Sequence, residues 1–301
     1  MAVLRRIPAQ AMAIDQSAAD DHFSALAASI GSDSHMSAKG VVGSYVEQLA
    51  GALCRMAVER SLDPGRLALV ASGGAGPLFA TEIAECMGID TVIIPPNAGA
   101  LSALGCANAR ASKQFTSAIY RPLDAAVNGI LNDTCADLRT RGEAWIASQG
   151  GGDISFRAEV RFPGGHFRTS LPCSPGKDMS HDIAARAEQA YRSRAGTPPP
   201  RPAEIATLSA IVEEDLPRRD QDVLKTAGPD PRAALLNETQ VWQGSGFATA
   251  SVYDATKLSP GNEITGPAMI VQRDTTVHIQ TGWVAKTDDY LNTVMTQHAR
   301  A

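Results

Sequence analysis

Ser72-Gly73-Gly74-Ala75-Gly76-Pro77 is the stretch of this sequence best suited to chemistry. It lies between a short apolar run, Leu67 to Ala71, and a helical pattern that Pro77 opens and that continues to about Met87. A glycine-rich turn from a strand into a helix presents backbone N–H groups that have no intrahelical partner, and the helix dipole adds partial positive charge there. Its natural guest is a phosphate group. Pro77 suits the first helical position, because the N–H it lacks would have had no intrahelical acceptor. The loop is not a Walker A motif, since no Gly-Lys-Ser/Thr closes it. It follows G-x-G-x-x-G only through Gly74 and Gly76, with Phe79 where a small residue belongs. Taken alone, it reads equally well as a tight turn that lets strand and helix pack closely.

The other candidates are single residues. His166 sits at a hairpin turn, where it can contact a substrate or simply be solvated. His22 beside Asp21 and His181 beside Asp182 read as polar residues at helix starts, because helical metal ligands favour i, i+4 spacing and neither pair has it. No metal site is expected. Cys54 and Cys86 fall within helical apolar patterns and read as packing. Trp242 and Trp283 lie in strand-like surroundings, where packing in a core or a subunit interface is the default.

These residues need elements to position them. A helix carrying Phe23, Leu26 and Ile30, capped by Asp20 or Asp21, is followed by a longer one that starts near Ser37. Its apolar residues Val42, Tyr45, Val46, Leu49, Leu53 and Met56 recur at three- and four-residue steps, up to the Asp63-Pro64-Gly65 turn. Strand 67–71, the glycine loop, helix 77–87 and strand 91–94 then form a unit whose strands should be parallel, which makes this part α/β. A helix is expected over 100–109, another over 133–148, a strand over 154–162 turning at Pro163-Gly164-Gly165, a helix over 182–191 and a strand over 205–212. The charged, Pro-containing stretch from Glu213 reads as a mobile loop, with order resuming at Val241 in a small β-rich end. The division along the chain is therefore 1–112 α/β, 113–212 α+β, 213–240 loop and 241–301 β-rich.

Composition narrows the function. The 301 residues carry a formal net charge of −5, with 44% apolar and 20% charged residues, which is a globular composition without the clustered Lys/Arg face that nucleic acid requires. Five dispersed cysteines without C-x-x-C spacing point away from a disulfide framework or a zinc site and fit a cytoplasmic protein. Neither a signal peptide nor a membrane-length apolar run is expected.

Two ordered blocks carry a resemblance. Val58-Glu59-Arg60, Asp63-Pro64, Gly73-Gly74-Ala75-Gly76-Pro77-Leu78, Pro95-Pro96 and Leu101-Ser102-Ala103-Leu104-Gly105 form the first. Tyr253-Asp254, Pro260-Gly261, Gly266-Pro267-Ala268, Thr275-Thr276-Val277 and Gly282-Trp283 form the second. Together they resemble the C-terminal half of the hydantoinase A / 5-oxoprolinase family of ATP-dependent amidohydrolases, over roughly residues 20 to 295. The middle departs from the family pattern: its R-Y-x-G-Q-x-x-E-L hairpin meets Arg161-Phe162-Pro163-Gly164-Gly165-His166-Phe167-Arg168-Thr169.

The resemblance implies part of an actin/Hsp70-like ATPase lobe, with Ser72, Gly73, Gly74, Ala75, Gly76 and Pro77 contacting nucleotide on its adenosine side. It also implies ATP and Mg²⁺ as cofactors. The family's two Asp-Gly-Gly-Thr type phosphate loops would stand upstream, and neither occurs in these residues. The expectation that follows is one part of a cyclic amide hydrolase that needs an N-terminal ATPase lobe or HyuA-like subunit and a hydantoinase B-like (HyuB-like) partner. The alternatives are a small subunit of an acetone or acetophenone carboxylase, or a truncated paralogue that only binds partners.

Overall fold

The computed structural model describes residues 15–60, 62–165, 167–215, 223–243 and 246–297. Two compact units divide the chain: one from its two ends, through Ala107 and from Asp220 onward, and one from Asn108 to Arg219.

The first unit opens with α1 (Gln16–Ile30) and α2 (Ser34–Glu59). Their N-caps are Asp15 and Asp33, whose carboxylates accept from the amides of Ala18 and Met36. The first helix thus starts ahead of Asp20 and Asp21. The stripe of α2 that is buried runs through Val46, Ala50 and Ala57, while Val42, Tyr45 and Met56 are 37%, 46% and 50% exposed. Ile83 of the next helix packs on Val46 and Ala50 here, with Leu49, Leu53 and Phe79 half-buried around it. Strand β1 (Leu69–Val70), helix α3 (Gly76–Met87) and strand β2 (Thr91–Ile94) follow, with β1 and β2 parallel as the pattern required. Helix α4 (Leu101–Ala107) ends this portion and buries none of its residues.

The second unit is an antiparallel sheet under two helices. Its elements are β3 (Ser112–Pro122), α5 (Asn128–Ala147), β4 (Gly152–Arg161), β5 (Arg168–Cys173), α6 (Met179–Ala195) and β6 (Glu204–Glu214), with sheet order β3-β6-β4-β5. Leu131, Leu138, Phe156, Phe162, Ile183 and Leu208 form its core. Strand β3 has no counterpart in the sequence reading, because most of its residues are exposed and its apolar alternation is weak.

The chain then returns to the first unit with β7 (Leu235–Gln243), β8 (Gly246–Asp254), β9 (Glu263–Thr265), β10 (Ala268–Val271), β11 (Thr276–Ile279), β12 (Trp283–Thr287) and β13 (Thr293–Gln297). Strand β7 begins at Leu235, inside the stretch read as a mobile loop. Ahead of it, the Asn262 amide donates to Gly228 O at 2.8 Å and to Asp230 O at 3.0 Å, and so holds the 228–230 backbone in place. Strands β11-β10-β8-β7 form one sheet. The others join the N-terminal strands in the order β1-β2-β13-β12-β9, with Val92 opposite Met295 and Ile94 opposite Thr293. The β-rich end and the α/β start therefore share one core, in which Ala80, Val92, Ile94, Ile270, Trp283 and Met295 are all essentially inaccessible. No helix among the described residues is long and apolar enough to cross a membrane.

Trp283 is the largest side chain sealed in that shared core, and its indole Nε1 donates to Glu85 Oε1 at 2.8 Å. Trp283→Ala is expected to cost about 3–5 kcal/mol, from the cavity it leaves. Denaturant unfolding should show the loss in the α/β start and the β-rich end together, as one transition.

Candidate functional site

Three loops meet at the N-terminus of α3. The first is the glycine turn itself: Gly73 has φ +86, a left-handed conformation that suits glycine. The Gly73 amide donates to Ala98 O at 2.8 Å, and Ala71 N donates to Ile93 O at 3.0 Å, continuing the β1–β2 ladder into the turn. Ala75 takes the N-cap position without a side-chain cap, and Pro77 occupies the first turn, buried. Among the described residues the amides of Gly74, Ala75 and Gly76 have no backbone acceptor. Ser72, Gly74 and Ala75 are exposed. This is an open nest of donors at a helix start, and it can receive an anionic group.

The second loop, 95–100, leaves β2 and turns through Asn97 in the left-handed region, φ 55. The third is the tight connection between β10 and β11. Buried Gln272 takes the Ala98 amide on Oε1 at 3.0 Å and gives Nε2 to Pro95 O at 3.3 Å. Buried Thr275 donates its hydroxyl to Gly74 O at 2.9 Å. Between them, Asp274 presses on Gly99 so closely that a Cβ there would lie 2.5 Å from its Cγ and 2.8 Å from its backbone oxygen.

Polar contacts also set the direction of α3. Thr81 Oγ1 donates to His278 O at 3.4 Å, Gln280 Nε2 to Glu82 Oε1 at 2.9 Å, and Trp283 Nε1 to Glu85 Oε1 at 2.8 Å. One face of the helix is thereby fastened along β11 and the start of β12. Burial raises the Glu82 carboxyl above its ordinary value, and the Gln280 amide partly offsets this. His278 is buried, and desolvation lowers it to about 4, so the ring is neutral at pH 7. Gln243 Nε2 lies 3.3 Å from its Nε2, an arrangement suited to an unprotonated ring nitrogen.

All six residues of the glycine loop singled out in the sequence thus occur together at one place. His166 lies outside the described residues. Cys54 is half-buried, as packing would have it, but Cys86 is exposed in the last turn of α3, against the packing expected of it. Desolvation, followed by Glu47, Glu85, Glu82 and Cys54, raises its thiol pKa. Burial pushes Cys135 up to about 11 and Cys173 to about 12. None of these three is the activated thiolate a nucleophile needs. Trp242 stacks on His35 and meets Phe247 edge-on, whereas Trp283 is core. Among the described residues no group of three or more His, Cys, Asp or Glu is arranged to hold a metal ion.

Sequence reasoning gave no role to Gln272, Asp274, Thr275 or Gly99. The signals available were the Pro95-Pro96-Asn97-Ala98-Gly99 turn and the Thr275-Thr276-Val277 block. Neither indicates that the two stretches lie against the glycine loop.

Comparison with known proteins gives two family matches: Hydantoinase/oxoprolinase over residues 3–115, and Hydantoinase/oxoprolinase C-terminal domain over residues 203–294. The chain is 25% identical over 275 residues to uncharacterized protein MJ0964 of Methanocaldococcus jannaschii, covering 90% of this chain and 39% of that protein. It is 27% identical over 294 residues to the caprolactamase subunit alpha of Pseudomonas jessenii, covering 91% and 41%. The crystal structure of the ATP-dependent caprolactamase from that organism superposes with TM-score 0.79 at 22% identity, covering 94% of this chain and 43% of its own. Nucleotide-free acetone carboxylase superposes with TM-score 0.70 at 18% identity, covering 95% and 43%. This chain spans about two fifths of the length of each of these relatives.

Gly99→Ala forces the Asp274 turn to move and is expected to cost about 1–3 kcal/mol in denaturant unfolding. An unchanged midpoint would show that the turn yields freely. A second outcome concerns pH. The folded value for His278, about 4, lies below its ordinary 6.5, so between those values the unfolded chain binds more protons. The stability contributed by the neutral ring is complete above pH 6.5 and is lost as pH falls toward 4, in total by about 3 kcal/mol. His278→Gln should flatten that part of the stability–pH curve relative to wild type.

Proposed function

Because this chain belongs to the hydantoinase/oxoprolinase family, we propose that it is the C-terminal part, or a separate subunit, of an ATP-dependent cyclic amide hydrolase of the hydantoinase/5-oxoprolinase type. The observation that carries this reading is the glycine turn at α3, with the outward amides of Gly74, Ala75 and Gly76 held between two other loops. In the reading, Ser72 to Pro77 lie against the bound nucleotide in a partial actin/Hsp70-like lobe. The amides and the helix dipole orient it, and they supply no proton and no nucleophile. ATP would supply the phosphoryl group that makes an amide oxygen a better leaving or activated group. Mg²⁺ does not fit this chain's own described residues, which lack a cluster of metal-ligating groups. It therefore belongs to the completing lobe in this proposal, and no step is assigned to it here.

A completing N-terminal lobe is supported by what unit 1 leaves uncovered. Val41, Tyr45, Met56 and Val58 on α2 are 50%, 46%, 50% and 69% exposed, Val70 on edge strand β1 is 60% exposed, and α4 buries nothing. Apolar exposure concentrated on one set of elements is the mark of a surface that another chain or segment covers. The hydantoinase B-like partner rests on the family alone. The caprolactamase relative, whose subunit is named alpha, is consistent with a multi-subunit enzyme. A second reading, a subunit of an acetone-type carboxylase, is supported by the fold shared with acetone carboxylase.

The test is calorimetric titration of the purified chain with Mg·ATP, alone and mixed with a separately produced ATPase lobe. Half a nucleotide site should bind in the millimolar range or weaker alone, and in the micromolar range, with amide-dependent ATP hydrolysis, when completed. Micromolar binding by the chain alone would overturn the requirement for a second lobe. Bicarbonate-dependent carboxylation by the completed enzyme would favour the carboxylase reading.

A further inference from the structure

Resting on the nucleotide reading, we propose that Gln272 and Thr275, in the turn between β10 and β11, are positioning residues of the glycine-loop site. The turn lies 201 residues along the chain from the loop it touches, counted from Gly74 to Thr275, and the two meet in a closed circuit of hydrogen bonds. Gln272 N donates to Thr275 O at 3.0 Å, which closes the turn on itself. Gln272 Oε1 then accepts from Ala98 N, Ala98 O accepts from Gly73 N, and Gly74 O accepts from Thr275 Oγ1. Every link is a polar group of the three loops meeting at the start of α3, and the two side chains that begin and end the circuit are both buried, at 8% and 5% exposure.

The circuit decides which way the loop's donors face. A trans peptide points its C=O and the following N–H in opposite directions. Holding Gly74 O toward Thr275 therefore turns the Ala75 N–H away from the turn, toward the open side where Ser72, Gly74 and Ala75 are exposed. The Gly73 N–H is consumed on Ala98, which fixes the Ser72–Gly73 peptide plane at the entry to the loop. An anion site made of backbone amides needs this orientation before the ligand arrives, because a glycine-rich loop left free spends entropy on every donor it aligns. Gln272 works at one remove: it fixes the 95–98 backbone, and that backbone fixes Gly73. The small space at Gly99 has the same origin, since Asp274 must lie there for Thr275 to reach Gly74.

Thr275→Val keeps the shape and removes the donor, and Thr275→Ser keeps the donor and removes a methyl. The full chain, labelled with ¹⁵N, would be followed in two ways. Without nucleotide, amide exchange at Gly73 and Ala98, the loop amides that the circuit holds in hydrogen bonds, should rise about fivefold or more in Thr275→Val and stay near wild type in Thr275→Ser, while α3 beyond its first turn and β2 are unchanged. With millimolar Mg·ATP, the wild-type loop amides should shift, and the titration should weaken about fivefold in Thr275→Val with recovery in Thr275→Ser. Loop exchange unaltered by Thr275→Val would overturn the positioning role even where ATP shifts persist. Loop exchange that rises while wild-type amides ignore ATP would overturn the nucleotide reading, and with it the purpose assigned to the circuit. A uniform rise in exchange across α3 and β2 would show a merely structural residue.

Discussion

The antiparallel pairing of β2 with β13 is the constraint on which the first unit depends. It sets Thr91–Ile94 beside Thr293–Gln297, across most of the length of the chain, and every other feature of that unit hangs from the seam. On one side of it β1 extends the sheet in parallel. On the other, β12 and β9 continue it, bringing Trp283 and Ile264 beneath the same helix that covers Val92 and Ile94. Closing so long a loop costs only slowly growing chain entropy, whereas the apolar area sealed along the seam is large. The intervening unit can then fold as an excursion with its own core.

The seam also determines how α3 is aimed. Its apolar residues Ala80 and Ala84 would pack in several rotations about the helix axis, because alanine offers little shape. Thr81, Glu82 and Glu85 remove that freedom by pairing with His278 O, Gln280 and Trp283. The buried members of these pairs, the Thr81 hydroxyl and the Trp283 indole, are costly when left unpaired, so they select one arrangement more sharply than the apolar contacts do. The glycine loop inherits this precision, and the turn at Gln272–Thr275 extends it to the individual peptide planes.

The nest at α3 offers donors and a helix dipole, which suit binding and orienting an anion. Among the described residues it offers no metal cluster. Apolar side chains on α2, β1 and α4 remain exposed beside it, among them Val41, Val58, Val70 and Leu104.

The sequence by itself determined the local elements whose signals are local. The parallel β1–β2 pair, the proline start of α3 and the hairpin glycines after β4 were legible because periodicity and turn chemistry act over a few residues. The ordered motif blocks likewise pointed to the family, and all six loop residues they singled out fall at one helix start. Strand β3 was not legible, since an exposed edge strand shows little alternation, and the first strand of the last segment was hidden by the charged residues before it. What only the tertiary structure decided was company: that Thr275 lies on Gly74, Gln272 on Ala98 and Asp274 on Gly99. Those contacts are set by strand register between distant segments, and register is a property of the packed sheet that no single stretch of sequence encodes.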